Sequence, residues 1–312
     1  MAERIFENFG ARETQLWGSQ PLKLRHRLHE SDLFTDEGLA ELIDTLPRDA
    51  LTINTMAADG HRLESWSYCD RADLPGHTIL ETVKTGRLWV NMRKINEAHP
   101  RYAQLLEAIY VELQHYMPDF ATFKRTCGLL ISSPKAQVFY HADVPGQTLW
   151  QLRGRKRLFL YPGDSPFLKP ENLENIIRGV AEEEIPYEPW FEDYATGFDL
   201  DPGDMLHWGL NRPHRVNNYD CLNVSITTEH WTPAIRRSFA MNYGNGILRQ
   251  ALGWTPRSRA LDGPAFWTKV GLTAAWRLSG QQRRQSFKRR NRYVVDPSAP
   301  GGVMEIGAQA GE

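Results

Sequence analysis

Cysteine is scarce in this chain: Cys69, Cys127 and Cys221 are the only three in 312 residues. Thiols so few and so widely spaced exclude a disulfide framework and a cysteine-built structural zinc site, and they point to a reducing compartment. Long apolar runs are also missing, and the opening MAERIFENFG is charged and has no apolar signal core. No membrane association and a cytoplasmic location are therefore expected. Charge of either sign is not in excess: 37 Lys and Arg stand against 38 Asp and Glu, which argues against wholesale attraction to nucleic acid or membrane. One local absence stands out. From Gly263 to Val295 there is no acid, while Arg283, Arg284, Lys288, Arg289, Arg290 and Arg292 crowd together. Such a cluster is a solvated helix face or tail, an anchor for acidic protein, or a phosphate-binding patch.

What is present is a constellation of metal-ligand type. His141-Ala142-Asp143 follows a strand-like run, Ala136 to Tyr140, and in a strand residues two apart face the same side, so His141 and Asp143 reach one ion while Ala142 points away. The run Thr148 to Tyr161 (TLWQLRGRKRLFLY) reads as one β-forming segment ended by Pro162-Gly163, with Lys156 inside it and Arg155 and Arg157 on the opposite face. An inward lysine is costly without an anionic partner, and a carboxylate ligand supplies one. A third ligand comes from His214 or His207. Asp201-Pro202-Gly203-Asp204 is a turn, Met205 to Trp208 a short strand, and His214 opens the strand that returns from a hairpin, which favours His214. Two imidazoles and one carboxylate suit a divalent first-row metal, and three protein ligands leave positions open, as a non-haem Fe(II) centre requires.

The segment from about Thr126 to Trp231 resembles the JmjC and cupin-like hydroxylases, the Fe(II)- and 2-oxoglutarate-dependent double-stranded β-helix family, and within it the branch of the asparaginyl hydroxylase of hypoxia-inducible factor. The blocks HADVPGQTLWQLRGRKRLFLYP (141–162), DLDPGDMLHW (199–208) and RPHRV (212–216) carry the likeness. The resemblance implies that His141, Asp143 and His214 bind iron. It also implies that Lys156, fifteen residues after the first histidine, binds the distal carboxylate of 2-oxoglutarate. Close relatives place a hydroxyl residue three positions before the first histidine, where this chain has Val138, so Thr148, Ser132 or Ser133 would have to replace it. Gln147 falls where relatives put an amide facing the co-substrate or substrate, and is otherwise an ordinary turn-edge residue. Asn91 or Arg93, near the strand-like Trp89 to Met92, is the candidate for a polar group donated by the N-terminal region.

The implied activity is a dioxygenase reaction: dioxygen and 2-oxoglutarate are consumed, succinate and carbon dioxide form, and a protein side chain or a small molecule is hydroxylated. Lysine demethylation is less favoured, because several demethylases carry glutamate at the Asp143 position. A cupin-like metal- or ligand-binding protein without turnover is the competing reading. The expected fold is mainly β with α additions, a double-stranded β-helix (jelly-roll) in three parts. An N-terminal α/β cap covers 1–124, the catalytic core 125–232 carries an insertion at about 165–190, and a C-terminal helical region with a mobile tail covers 233–312. The insertion, with its acidic run Glu182-Glu183-Glu184, is a solvated helix end or a lid. In the C-terminal region Gly244, Gly246 and Pro256 mark helix breaks. Phe266, Trp267, Val270, Leu272 and Trp276 pack against the core or form a homodimer interface, as the helices of relatives do.

Overall fold

The computed structural model describes residues 4–56, 66–181, 185–281 and 291–306. Glu182 to Glu184 and all of the basic cluster except Arg292 lie outside the described residues; Arg292 pairs with Glu305 at 2.9 Å.

Fourteen strands are described. They are β1 Leu22–Arg25, β2 Leu51–Met56, β3 Trp66–Asp70, β4 Leu88–Met92, β5 Phe123–Ser132, β6 Gln137–His141 and β7 Gly146–Arg153, then β8 Lys156–Leu160, β9 Thr196–Leu200, β10 Asp204–His207, β11 His214–Asn218, β12 Asn223–Trp231, β13 Asn291–Val295 and β14 Val303–Glu305. Ten of them form one sheet in the order β1-β10-β7-β12-β5-β4-β2-β3-β13-β14, and four form a second in the order β6-β11-β8-β9. From β5 to β12 the chain alternates between the sheets strand by strand, except that β8 and β9 both lie in the small one. The inner faces meet in one apolar cluster, with Leu149 and Leu206 from the large sheet and Leu158, Leu160, Leu200 and Val216 from the small one. This is a double-stranded β-helix.

Two strand expectations are corrected by this alternation. Thr148 to Tyr161 is not one strand: β7 stays in the large sheet, the chain turns at Gly154 (φ +71°), and Lys156 opens β8 in the small one. Any side chain at Gly154 would collide with the Leu222 carbonyl, so only glycine fits the turn. Likewise β10 and β11 are not a hairpin; β10 pairs with β7, whereas β11 crosses to the other sheet and pairs with β6 and β8.

The outer face of the large sheet is covered by α2 (Asp36–Thr45), α3 (Gly76–Thr85) and α5 (Pro100–Tyr116), numbered with the short α1 (Ala11–Leu16) and α4 (Ile95–Ala98). Local sequence sets their limits. Thr35 Oγ1 accepts the Gly38 N–H at the start of α2, and Pro100 occupies the first turn of α5, where its missing N–H costs nothing. Tyr102, Leu106, Ile109, Tyr110 and Leu113 then repeat at helical spacing and bury one face of α5. At about 1.5–3 kcal/mol per buried side chain, this face stabilises α5 by far more than helix propensity does. The N-terminal region is therefore continuous with the barrel: it adds β1 to one edge of the large sheet and β2 to β4 beyond β5. The C-terminal region is not purely helical, since β13 and β14 extend the same sheet.

The outer face of the small sheet is covered by the insertion, which carries α6 (Pro170–Arg178) and a 3₁₀ turn over Pro189–Tyr194, and by α7 (Pro233–Ala251) and α8 (Gly263–Leu278). Gly244 and Gly246 do not break α7. They sit inside it where neighbours approach closely: an added Cβ would lie 2.5 Å from Lys269 of α8 and 2.6 Å from Arg178 of α6. Of the residues named for core or dimer packing, Phe266 is buried and Leu272 and Trp276 pack on the insertion, whereas Trp267 is 62 % exposed.

Candidate metal centre

His141 is the last residue of β6, and Asp143 follows just beyond the strand. Tyr140 and Ala142 turn outward into the cluster beneath the insertion, which leaves His141 and Asp143 on the barrel side. His214 is the first residue of β11, and in the antiparallel register it lies directly opposite His141 on one side and Leu160 on the other. The pairing brings together side chains 73 positions apart in the chain. One ligand atom from each of His141, Asp143 and His214 lies within 4.8 Å of the others. His214 Nε2 is 3.3 Å from Asp143 Oδ2, and the two imidazole rings are 4.1 Å apart.

The tautomer of both rings is set by the backbone. His141 Nδ1 lies 2.6 Å from the Phe139 carbonyl and His214 Nδ1 lies 3.0 Å from the Arg212 carbonyl. A carbonyl only accepts, so each Nδ1 donates its hydrogen, and the neutral form of each ring has its lone pair on Nε2. Burial, reinforced by His141 nearby, holds His214 well below the ordinary imidazole range and outweighs the Arg212 carbonyl. Two lone pairs and a carboxylate facing one point repel one another unless a cation lies between them, so the donor set fits a divalent metal.

The loop between β10 and β11 holds this arrangement. Asn211, at φ +57°, donates from Nδ2 to the Asp143 carbonyl at 2.5 Å and faces the Val144 carbonyl at 3.4 Å. Residues 211 and 212 thus fix the backbone of one candidate ligand and the ring of another. Reading the sequence did not single out Asn211; its position between Gly209 and Pro213 is a turn signal, but its partner is 68 residues away. Trp208 was missed as well, and its ring packs 4.8 Å from that of His214.

Lys156 opens β8 with its side chain on the same face as Leu158 and Leu160, and it is 3 % exposed. Among the described residues its ammonium makes no hydrogen bond or ion pair, and burial lowers it from 10.5 to about 7 against an upward pull from Cys221. An inner-facing cation among leucines lacks the anion that would stabilise it. Val138, where relatives carry a hydroxyl, also faces inward, opposite Val216.

The other candidates fall in different places. His207 is not beside the other two histidine-type ligands: its ring stacks on Trp17 at 3.7 Å, its Nε2 accepts the Gly18 N–H, and its Nδ1 bonds the Gln147 carbonyl. Thr148 shares the cap-side face of β7 with Trp150 and hydrogen-bonds His207 at 3.0 Å, so strand alternation turns it away from the barrel interior. Ser133 is committed to the α3–β4 junction through the Val83 carbonyl and the Leu88 N–H, while Ser132 accepts from Asn218. Gln147 lies on the inner face, 3.4 Å from Glu229. Asn91 faces the barrel side of β4, paired with Leu130 one strand beyond the barrel wall. The Pro-Gly-Asp turn has a structural role: Asp204 accepts from Lys23, Arg25 and the Asp201 N–H.

No family model matches the sequence, and no curated protein does. Solved structures do match. That of Escherichia coli YcfD superimposes with a TM-score of 0.53 at 15% identity over 89% of this chain and 69% of that one. A structure described as YcfD, a ribosomal oxygenase from Escherichia coli, with cobalt and 2-oxoglutarate gives 0.51 at 15% identity, over 93% and 74% of the two chains. The same oxygenase with cobalt and succinic acid gives 0.50 at 15% identity, over 88% and 68%. At this identity the likeness establishes the fold alone.

Proposed function

We propose that the protein is an Fe(II)- and 2-oxoglutarate-dependent dioxygenase, a hydroxylase. The observation that carries this reading is the pairing, inside one barrel, of three converging metal-type ligands with a buried lysine that has no anionic partner among the described residues. His141, Asp143 and His214 would hold the iron, which when bound supplies coordination positions for a 2-oxo acid and for dioxygen. Lys156 binds the far carboxylate of 2-oxoglutarate by a charge-assisted hydrogen bond. Leu160, the register partner of His214, stands four residues from Lys156 on β8, about 13 Å at ~3.3 Å per residue. A lysine side chain and a short dicarboxylic acid, laid end to end, span that length. Leu149, Leu158, Leu206 and Trp208 line the interior and exclude water from the reacting atoms. Gln147 and Asn91 remain candidates for polar contacts at the mouth of the barrel, whereas Thr148 is not part of this proposal.

The solved structures of similar fold are described as a ribosomal oxygenase, which favours a protein side chain as the hydroxylated substrate over a small molecule. No described helix is long and apolar enough to cross a membrane. Of the residues named for a homodimer through the C-terminal helices, the exposed Trp267 of α8 is the one free to form it, and sedimentation velocity tests it.

The direct test is anaerobic addition of Fe(II) and then 2-oxoglutarate, watching for the visible charge-transfer absorption of the chelate. The expected result is a band in the wild type, none in His141→Ala, and a band needing far more co-substrate in Lys156→Ala. A wild type that shows neither band nor succinate formation would leave a barrel that binds without turnover.

A further inference from the structure

The insertion between β8 and β9 reaches the metal centre from behind. Arg215, next to His214, points outward from β11 and lies over the Phe159 ring at 3.7 Å. Its guanidinium grips Glu192 of the 3₁₀ turn with Nε at 2.9 Å and Nη2 at 2.7 Å. The same carboxylate accepts the hydroxyls of Tyr161 at 2.6 Å and Tyr187 at 2.5 Å. Tyr161 in turn fastens the other flank of His214: its N–H donates to the Pro213 carbonyl and its own carbonyl accepts from Arg212 Nε, both at 3.0 Å. Residues 212, 213 and 215 are thus all tied to one cluster, and His214 is the residue they bracket.

We propose that Glu192 is a positioning residue: through Arg215 and Tyr161 it fixes the strand end that presents His214, so that the insertion is the rear wall of the metal centre rather than a lid over it. This rests on the metal-centre reading given above. The chemistry supports a rigid clamp. Four donors saturate one carboxylate, and the bidentate guanidinium fork fixes orientation as well as distance. Arg215 and Glu192 are largely withdrawn from solvent, with side chains 19 % and 34 % exposed, so the pair is screened less than a surface ion pair. A strand-end histidine gains from such help because the hydrogen bond that orients its ring goes to the Arg212 carbonyl, two residues away on the same loop end.

The test uses Co(II) alone as the probe, with two readouts: its dissociation constant and the visible d–d band envelope of the bound ion. Glu192→Ala is expected to weaken Co(II) binding about tenfold, at the lower end of what partners beyond the ligands contribute, and to change the band envelope. Glu192→Gln, which keeps an acceptor for Arg215 and the two tyrosines, is expected to recover part of both. Tyr161→Phe, which removes one hydroxyl and disturbs folding least, is expected to shift the envelope in the same direction. Arg249→Ala removes the ion pair between α7 and Glu174 of the insertion, which involves none of residues 212 to 215, and is expected to lower the melting temperature without moving either readout. If Glu192→Ala and Tyr161→Phe bind Co(II) with wild-type affinity and spectrum, the clamp is structural only and the proposal fails while the metal centre stands. A wild type that takes up no Co(II) overturns the metal centre and this proposal together.

Discussion

Replacing Lys156 by methionine is expected to make the protein more stable and to weaken greatly its binding of the proposed dicarboxylic co-substrate. The side chain is buried, and its amine lies at about 7 instead of 10.5 because charge is poorly solvated there. At 1.36 kcal/mol per pH unit, that depression sets a ceiling of about 5 kcal/mol on the cost of the buried charge when no anion is bound. Local relaxation around the lysine reduces the cost actually carried, and a gain of about 2 kcal/mol in Lys156→Met is expected near pH 7, or several degrees in melting temperature. The pH dependence gives a sharper signature. Between pH 7 and 10.5 the unfolded chain holds a proton that the folded one has lost, so wild-type stability rises with pH across this window, and below pH 7 the full cost applies. The methionine variant lacks that rise. Thermal melts at pH 6.5, 8 and 9.5, with and without excess succinate or 2-oxoglutarate, measure all of this. At a hundred times its dissociation constant, a dicarboxylate that pairs with the ammonium stabilises the wild type by about 2.7 kcal/mol and leaves the variant unmoved. A variant that is less stable than wild type at pH 6.5, or that still responds to dicarboxylate, refutes an unpaired inward cation as the anchor.

Three further outcomes follow from the same geometry. In Co(II) titration His214→Ala loses high-affinity binding whereas His207→Ala keeps it, because His207 is fully engaged with Trp17, Gly18 and Gln147; the reverse result would exchange the two residues. Asn211→Gly keeps the left-handed backbone but removes the bond to the Asp143 carbonyl, so it should weaken Co(II) binding while costing only about 1 kcal/mol of stability, read by urea unfolding. Acid should weaken the fold well above the carboxylate range. Burial lowers His26 and His207 to about 3 and His230 to about 4, so below pH 6.5 the unfolded chain takes up protons that the folded chain refuses. The stability contributed by these groups is complete above 6.5 and is lost progressively toward 3, at about 2 kcal/mol per histidine by pH 5; equal urea midpoints at pH 7.5 and 5 would refute it.

The local grammar of the chain was enough to place most strands and helices and to select the candidate ligands. Two-residue alternation puts His141 and Asp143 on one side with Ala142 on the other, and helical spacing marks α5, because both periods are properties of consecutive residues. Composition likewise settled the unimportance of the three cysteines as a framework. Tertiary structure decided what depends on which sheet a strand joins. A turn at Gly154 divides an apparently continuous β run, places Lys156 at the start of a strand facing inward, and leaves Thr148 facing the cap. The crossing of β11 from the β10 side of the barrel to β6 brings His214 to His141, while the same topology leaves His207 stacked on Trp17. Asn211 and Glu192 act across 68 and 23 residues of chain, on the Asp143 carbonyl and the Arg215 guanidinium respectively. Such contacts follow from the close approach of segments that share no sequence period, so the order of residues alone carries no trace of them.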